Sequence, residues 1–216
     1  MNSERIPDNN SDLSAEYQKF KEGKSISHTL GVIGGSSEED LSSQKNLLIE
    51  GCKLIQTKIG NFGIISGGTR KGVPDLALDI GRELGIPTIG VFPQEKAKYV
   101  ASEKIDFAIP VPSQLLSQVT WGIETSTLVS IPDVFILIGG EWGTLTEVSM
   151  IMKRNNSLVR HGIPPVPLIS LAGSGKLADS LEQIIQIFPT SPGSHFRVDN
   201  SNRLAEIVIK YLVERR

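Results

Sequence analysis

The chain is predicted to fold as a single α/β domain, doubly wound around a mostly parallel β-sheet. Apolar runs and helical patterns alternate along most of its length, and this repetition builds a doubly wound sheet. The apolar runs are hydrophobic throughout rather than at every second residue, which is typical of strands buried on both faces. Three of the runs end in glycine-rich turns.

The elements follow one another with few interruptions. The run "HTLGVIGG" predicts the first strand, and apolar residues at helical spacing predict a helix over residues 41–59. Later strands are predicted at "GIISGG", "IPTIGVFP", "DFAIPV", "DVFILIGG", "PPVPLISLAG" and "HFRV". Later helices are predicted over residues 73–85, 114–131, 144–155, 176–188 and 202–216. Pro74 near the start of the second helix and Gly85 at its end are usual helix boundaries.

Composition limits the classes of protein that the chain can belong to. Its 216 residues, 39% of them hydrophobic, suit one domain with a sizeable core. The net charge of -2 carries no basic footprint, so no nucleic-acid partner is expected. No apolar stretch approaches the roughly 20 residues of a membrane-spanning helix, so no membrane partner is expected.

The N-terminal segment and the single cysteine indicate the cellular compartment of the protein. Residues 1–27 are predicted to be a polar leader, partly disordered, with a short helix around residues 16–20, and residues 28–216 form the domain. The leader has no apolar h-region, which argues against a secretory signal. Cys52 alone excludes an internal disulfide framework. We therefore expect a cytoplasmic protein.

The glycine-rich turns are "GVIGGSSEED", "ISGGTRKGVPD" and "IGGEWGTLTE". In a parallel sheet the carboxyl ends of all strands lie along one edge, where ligands bind at the point at which the winding reverses. Glycine lets backbone N–H groups approach a ligand, and helix N-termini attract phosphate. The sequence therefore predicts a phosphate-binding crevice. Its candidate residues are Gly34, Gly35, Ser36, Ser37, Gly67, Gly68, Thr69, Arg70, Gly139, Gly140, Gly143 and Thr144.

Two of these turns also match the capping box, a local motif with no ligand. Ser36 with Glu39, and Thr144 with Glu147, each have the spacing in which Ser or Thr caps a helix and Glu reaches back. Glu147 therefore has two interpretations, a helix-capping residue or a catalytic acid–base residue.

Two other features of the sequence, a P-loop-like segment and the histidines, do not indicate a functional site. "AGSGKLAD" resembles a P-loop, but the first glycine of that motif would fall at Ser170 and its hydroxyl residue at Leu177. The histidines are scattered without metal-ligand spacing, so neither a metal nor another cofactor is expected.

The three turns together resemble the LOG-like, or SLOG, superfamily of Rossmann-like nucleotide-binding proteins. Its members include cytokinin-activating nucleoside-monophosphate phosphoribohydrolases, molybdenum-cofactor carrier proteins and the N-terminal region of TRPM channels. The enzymes carry a Pro-Gly-Gly-x-Gly-Thr-x-x-Glu signature, which Gly140, Gly143, Thr144 and Glu147 match. The resemblance implies a Rossmann-like fold, a nucleotide or phosphate ligand and a homodimer.

The sequence also departs from the enzymes. Gly139 stands in place of their proline, and Glu141 in place of a glycine. The enzymes place an Arg-Lys pair nine residues before the aspartate that opens the strand; here that position, counted from Asp133, is Glu124-Thr125. A glutamate would repel the ribose-phosphate that an arginine stabilises.

Three functions follow from the resemblance. The preferred one is a sensor or binding protein that holds a nucleotide or ADP-ribose-like compound without turnover. The alternative is a nucleoside 5′-monophosphate phosphoribohydrolase that releases base and ribose 5-phosphate, with Glu147 as its catalytic residue. The further alternative is a molybdenum-cofactor carrier.

Overall fold

The structure is a computed structural model that describes residues 9–37, 40–113 and 121–214. Its centre is a sheet of seven strands, all parallel, in the order β4-β3-β2-β1-β5-β6-β7. The strands are β1 His28–Gly34, β2 Phe62–Ser66, β3 Thr88–Pro93, β4 Phe107–Val111, β5 Val134–Ile138, β6 Leu168–Leu171 and β7 His195–Val198. The predicted doubly wound α/β class is confirmed.

Helices cover both faces of the sheet. They are α1 Asn9–Gly23, α2 Ser42–Ile59, α3 Gly72–Leu84, α4 Thr125–Ser130, α5 Trp142–Arg160, α6 Lys176–Ile187 and α7 Ser201–Glu214. The first core cluster joins one face to α2, α3 and α7, and the second joins the other face to α1, α4, α5 and α6. Two short 3₁₀ helices, Gln94–Tyr99 and Ser102–Lys104, connect β3 to β4.

The central strand β5 shows why its sequence is apolar throughout. Ile136 packs into the first cluster, whereas Phe135 and Leu137 pack into the second, and all three are 0% exposed. Burying each such side chain stabilises the fold by about 1.5–3 kcal/mol. A strand between two helical layers therefore needs an apolar residue at every position.

Within the segment predicted as a leader, α1 lies on the edge strand β4. The ring centroids of Tyr17 and Phe20 lie 5.5 and 5.0 Å from that of Phe107. This aromatic contact covers a strand that is unpaired on one side. The division of the chain at residue 27 stays a prediction. Among the described helices, none is both long and apolar enough to cross a lipid bilayer.

The helix predicted over residues 114–131 is wrong at residues 121–124, which form turns. Gly122, with φ of +97°, adopts a left-handed conformation that interrupts a right-handed helix. The helix α4 begins only at Thr125. Residues 114–120 of the prediction lie outside the described residues.

Candidate functional site

The three glycine-rich turns follow three neighbouring strands, β2, β1 and β5. From β1 the chain winds outward through β2 to β4, and from β5 it winds the opposite way through β6 to β7. The winding therefore reverses between β1 and β5, where Gly34 pairs in register with Ile138. In open α/β sheets, ligands bind outside the carboxyl ends of the strands at such a reversal.

The first turn touches both of the others. A Cβ added to Gly35 would lie 3.9 Å from the Cα of Gly140 in the third turn. A Cβ added to Gly72 in the second turn would lie 2.3 Å from the carbonyl oxygen of Gly35. Val73 N–H donates to that same carbonyl at 2.9 Å. The first turn thus meets each of the other two backbone to backbone, and at Gly72 only glycine permits this approach.

The rest of the second turn faces the connection that follows β3. Gly68 is buried, its N–H donates to Ser66 Oγ, and its carbonyl accepts from Ala101 N–H. Thr69 forms an antiparallel bridge with Val100, and its Oγ1 is buried without a hydrogen-bond partner among the described residues. Gly72, which begins α3, therefore reaches the first turn, whereas Gly68 does not.

Arg70 lies on the surface of the second turn. Its guanidinium donates to both carboxylate oxygens of Glu103, at 2.6 and 3.0 Å. Gly67, immediately before Gly68, is partly buried beside Pro74. Any phosphate contact by Arg70 would have to compete with this paired arrangement.

The start of α6 holds the third glycine-rich turn in place through backbone hydrogen bonds. The carbonyls of Gly139 and Gly140 accept from Ala178 N–H at 3.0 Å and Leu177 N–H at 3.2 Å. Gly139 N–H donates to Ser174 Oγ at 2.9 Å. Both glycines have positive φ, +53° and +98°, and both are buried. These bonds fix the orientation of the turn from which α5 starts.

The capping-box prediction for Thr144 and Glu147 is wrong, because α5 begins two residues earlier than expected. The N-cap is Glu141, whose carbonyl accepts from Leu145 N–H at 2.8 Å, and no side chain caps the helix. Thr144 is buried in the first helical turn of α5, and Gly143 is exposed there. The backbone amides of this first helical turn have no partner within the helix, so they are available to an anion.

The capping interpretation of Ser36 is also wrong. The helix α2 begins at Ser42 with Leu41 as its N-cap, and Asp40 accepts from both the N–H and the Oγ of Ser42. Ser36 and Ser37 are exposed on the first turn. The predicted partner Glu39 lies outside the described residues.

Glu147 lies in the second turn of α5 and is only partly exposed. Its Oε2 is buried with no hydrogen-bond partner among the described residues. Burial, and secondarily the charge of Glu124, raise the pKa of Glu147 to about 8. Burial also raises the pKa of Glu124, although its Oε2 accepts from Gly122 N–H at 2.8 Å. The site therefore holds two neighbouring carboxyl groups, and Glu147 is largely protonated at neutral pH because its ionised form would be buried and would face the charge of Glu124.

The P-loop-like segment after β6 does not offer its amides to a ligand. Asp179 accepts from Gly173 N–H at 2.9 Å and from Gly175 N–H at 2.7 Å. The same carboxylate is paired with Arg197 at 2.9 Å. Where residues are described, no group of His, Cys, Asp and Glu could hold a metal ion.

Sequence reasoning missed three residues that the structure brings to this edge. Gly72 belongs to the second glycine-rich turn, but only its contact with Gly35 distinguishes it from the other glycines of that turn. Tyr99 and Trp121 are 22 positions apart and meet through tertiary contact alone. No local signal in the sequence pairs them.

These observations define a class: a LOG-like Rossmann domain with glycine-lined turns at the reversal of its sheet. The chain belongs to the SLOG cluster4 family, whose sequence profile matches residues 27–180, more than half of its length. Comparison with curated proteins gives no match.

Several solved structures share the fold. The structural-genomics target TM1055 has 20% sequence identity and a TM-score of 0.64, covering 85% of this chain and 99% of its own. A molybdenum cofactor binding protein from the phototrophic bacterium Rippkaea orientalis has 21% identity and a TM-score of 0.63, covering 86% and 97%. The molybdenum cofactor carrier protein of Chlamydomonas reinhardtii has 18% identity and a TM-score of 0.56, covering 86% and 98%. At these identities the likeness concerns the fold alone.

Proposed function

We propose that the protein binds a nucleotide or an ADP-ribose-like phosphate compound in the glycine-lined crevice, as a sensor or binding protein. The observation that carries the proposal is the meeting of Gly35, Gly72 and Gly140 where the winding of the sheet reverses. Close backbone approach at a helix N-terminus suits a phosphate group, because N–H donors and the helix dipole both face it.

Binding without turnover is supported by the acidic pair. Glu124 occupies the position where the enzymes of the superfamily have an arginine, and its charge interacts unfavourably with Glu147. A transition state with an anionic ribose-phosphate would gain no cationic stabilisation from Glu124. Arg70, the nearby cation of the second turn, is held by Glu103.

The replacement Gly35→Ala tests the phosphate crevice. Gly35 is not among the positive-φ glycines, and its added Cβ would meet nothing closer than Ser37 Oγ at 3.4 Å. We expect the fold to persist, whereas the methyl group fills the space between the first and third turns. The methyl group should block one charge-assisted hydrogen bond between a turn amide and the phosphate. Nucleotide binding, measured by isothermal titration calorimetry, should therefore weaken by about tenfold or more.

The matched control is Gly23→Ala, because Gly23 ends α1 and an added Cβ there meets nothing within 4 Å. It should bind nucleotide as the wild type does. Unchanged affinity in Gly35→Ala, with a nucleotide that the wild type binds, would exclude the crevice as the phosphate site.

A second candidate function is the phosphoribohydrolase, which one observation favours. Glu147 retains the position of the enzymes' glutamate, and a carboxyl group with a pKa of about 8 is well suited to donate a proton near neutral pH. Native mass spectrometry before and after incubation with a nucleotide panel separates the two functions. Retained intact nucleotide supports binding, whereas free base with ribose 5-phosphate supports hydrolysis.

The panel should also contain a molybdopterin-type ligand. Two solved structures with the same fold are described as molybdenum cofactor binding or carrier proteins. Co-purified pterin fluorescence, with no nucleotide retained, would favour a carrier over the sensor that we propose.

A further inference from the structure

Two exposed aromatic side chains form a pair at the carboxyl edge of the sheet. The ring centroids of Tyr99 and Trp121 lie 6.2 Å apart, with the ring planes at 45°. Tyr99 is 47% exposed and Trp121 is 45% exposed, so each presents a large part of its ring to solvent. Two aromatic rings exposed side by side offer π faces on which a planar ligand group can stack.

Backbone contacts connect the segments that carry the two rings to the second glycine turn and to Glu124. The carbonyl of Tyr99 accepts from Arg70 N–H at 3.1 Å, which fixes Tyr99 beside the second turn. Trp121 precedes Gly122, whose N–H donates to Glu124. The two rings therefore lie along the same edge as the crevice, on the side of β2 and β3.

Two lysines give this aromatic surface a positive charge. Lys98 Nζ lies 5.0 Å from the ring centroid of Tyr99, and Lys96 Nζ lies 5.8 Å from that of Trp121. These cation–π contacts hold the lysines near the rings. An adjacent ligand with phosphate groups would be attracted by both charges.

We propose that Tyr99 and Trp121 form a platform for the planar base of the bound nucleotide, while its phosphate lies on the glycine turns. Because the two rings are inclined at 45°, the base stacks on one ring and has its edge against the other. This inference rests on the proposed function and specifies its ligand as a base-bearing phosphate compound. Stacking is tolerant of the base, because every nucleobase has a π face. The platform therefore distinguishes a nucleotide from a sugar phosphate rather than one base from another.

The test uses the two tryptophans of the chain, Trp121 and Trp142. In Trp142→Phe, the remaining tryptophan fluorescence comes from Trp121. We expect AMP, GMP or ADP-ribose to quench that fluorescence, and ribose 5-phosphate not to. By calorimetry, Tyr99→Ala and Trp121→Ala should each weaken nucleotide binding by about tenfold or more and leave ribose 5-phosphate binding unchanged.

The control is Phe188→Ala, which removes an exposed aromatic side chain at the C-terminal end of α6. It should bind nucleotide as the wild type does. Wild-type affinity in both aromatic variants, or no quenching of Trp121, would overturn the platform and leave the proposed function standing. Failure of the wild type to bind any phosphate compound would overturn both.

Discussion

Glu147→Gln is expected to stabilise the protein, and the gain should grow as the pH rises from 5 to 8. The folded state raises the pKa of Glu147 from 4.5 to about 8. Between these two values the folded chain holds a proton that the unfolded chain has released. The stability of the wild type therefore falls across this window, whereas glutamine does not titrate.

The size of the stability gain in Glu147→Gln follows from the shift in the pKa of Glu147. A difference from 4.5 to about 8 corresponds to at most about 5 kcal/mol at pH 8. We expect about 2–4 kcal/mol, because Glu147 keeps some contact with water. For a chain of this length, the melting temperature should rise by roughly 5 °C or more at pH 8 and hardly change at pH 5.

Glu124→Gln is the matched control for the cause of the shift. Burial is the larger cause of the raised pKa of Glu147, and the charge of Glu124 is the smaller one. Removing that charge should therefore give a smaller gain, which also grows as the pH rises. A Glu147→Gln variant whose melting temperature is lower than that of the wild type at pH 8 would contradict a buried, unpaired carboxyl group.

Gly72→Ala is expected to destabilise the protein by about 3 kcal/mol and to abolish nucleotide binding. Gly72 has φ of +64°, which costs an alanine about 1–2 kcal/mol. Its Cβ would lie 2.3 Å from Gly35 O and 2.8 Å from Ser36 Cα, so the backbones of two turns must separate. That movement also breaks the Val73 N–H bond to Gly35, worth about 1 kcal/mol. Chemical denaturation measures the loss.

Comparing Gly85→Ala with Gly72→Ala separates the cost of a left-handed backbone conformation from the cost of the steric clash with Gly35. Gly85 ends α3 with φ of +66°, and a Cβ there would meet nothing within 4 Å. This variant should lose only about 1–2 kcal/mol and bind nucleotide normally. Equal losses in the two variants would show that the contact between the first and second turns contributes nothing.

The fold could be predicted from local pattern because burial on both faces leaves a direct mark on the sequence. In β5 every residue is 0% exposed, and the strand is apolar at every position. The positions of the glycine turns followed from the parallel sheet, whose carboxyl ends share one edge. Long apolar runs and their glycine ends are local features.

The details of the site could not be predicted, because they depend on contacts between distant segments. The capping box at Thr144 was a local match, but the bond from Leu145 N–H to Glu141 starts the helix earlier. Gly72 is distinguished from Gly68 only by its approach to Gly35, 37 positions away in sequence. The pairing of Arg70 with Glu103 likewise joins segments that the sequence separates.

The most direct test of the phosphate crevice compares ligands that differ only in phosphate. Calorimetry of the wild-type protein should be run with nucleoside 5′-monophosphates and ADP-ribose, and with the matching nucleosides under the same conditions. We predict that at least one phosphorylated compound binds about tenfold or more tightly than its nucleoside, because charge-assisted hydrogen bonds to the turn amides are lost without phosphate. Equal affinity for a nucleotide and its nucleoside, or binding of neither, would contradict a phosphate site at these glycine turns.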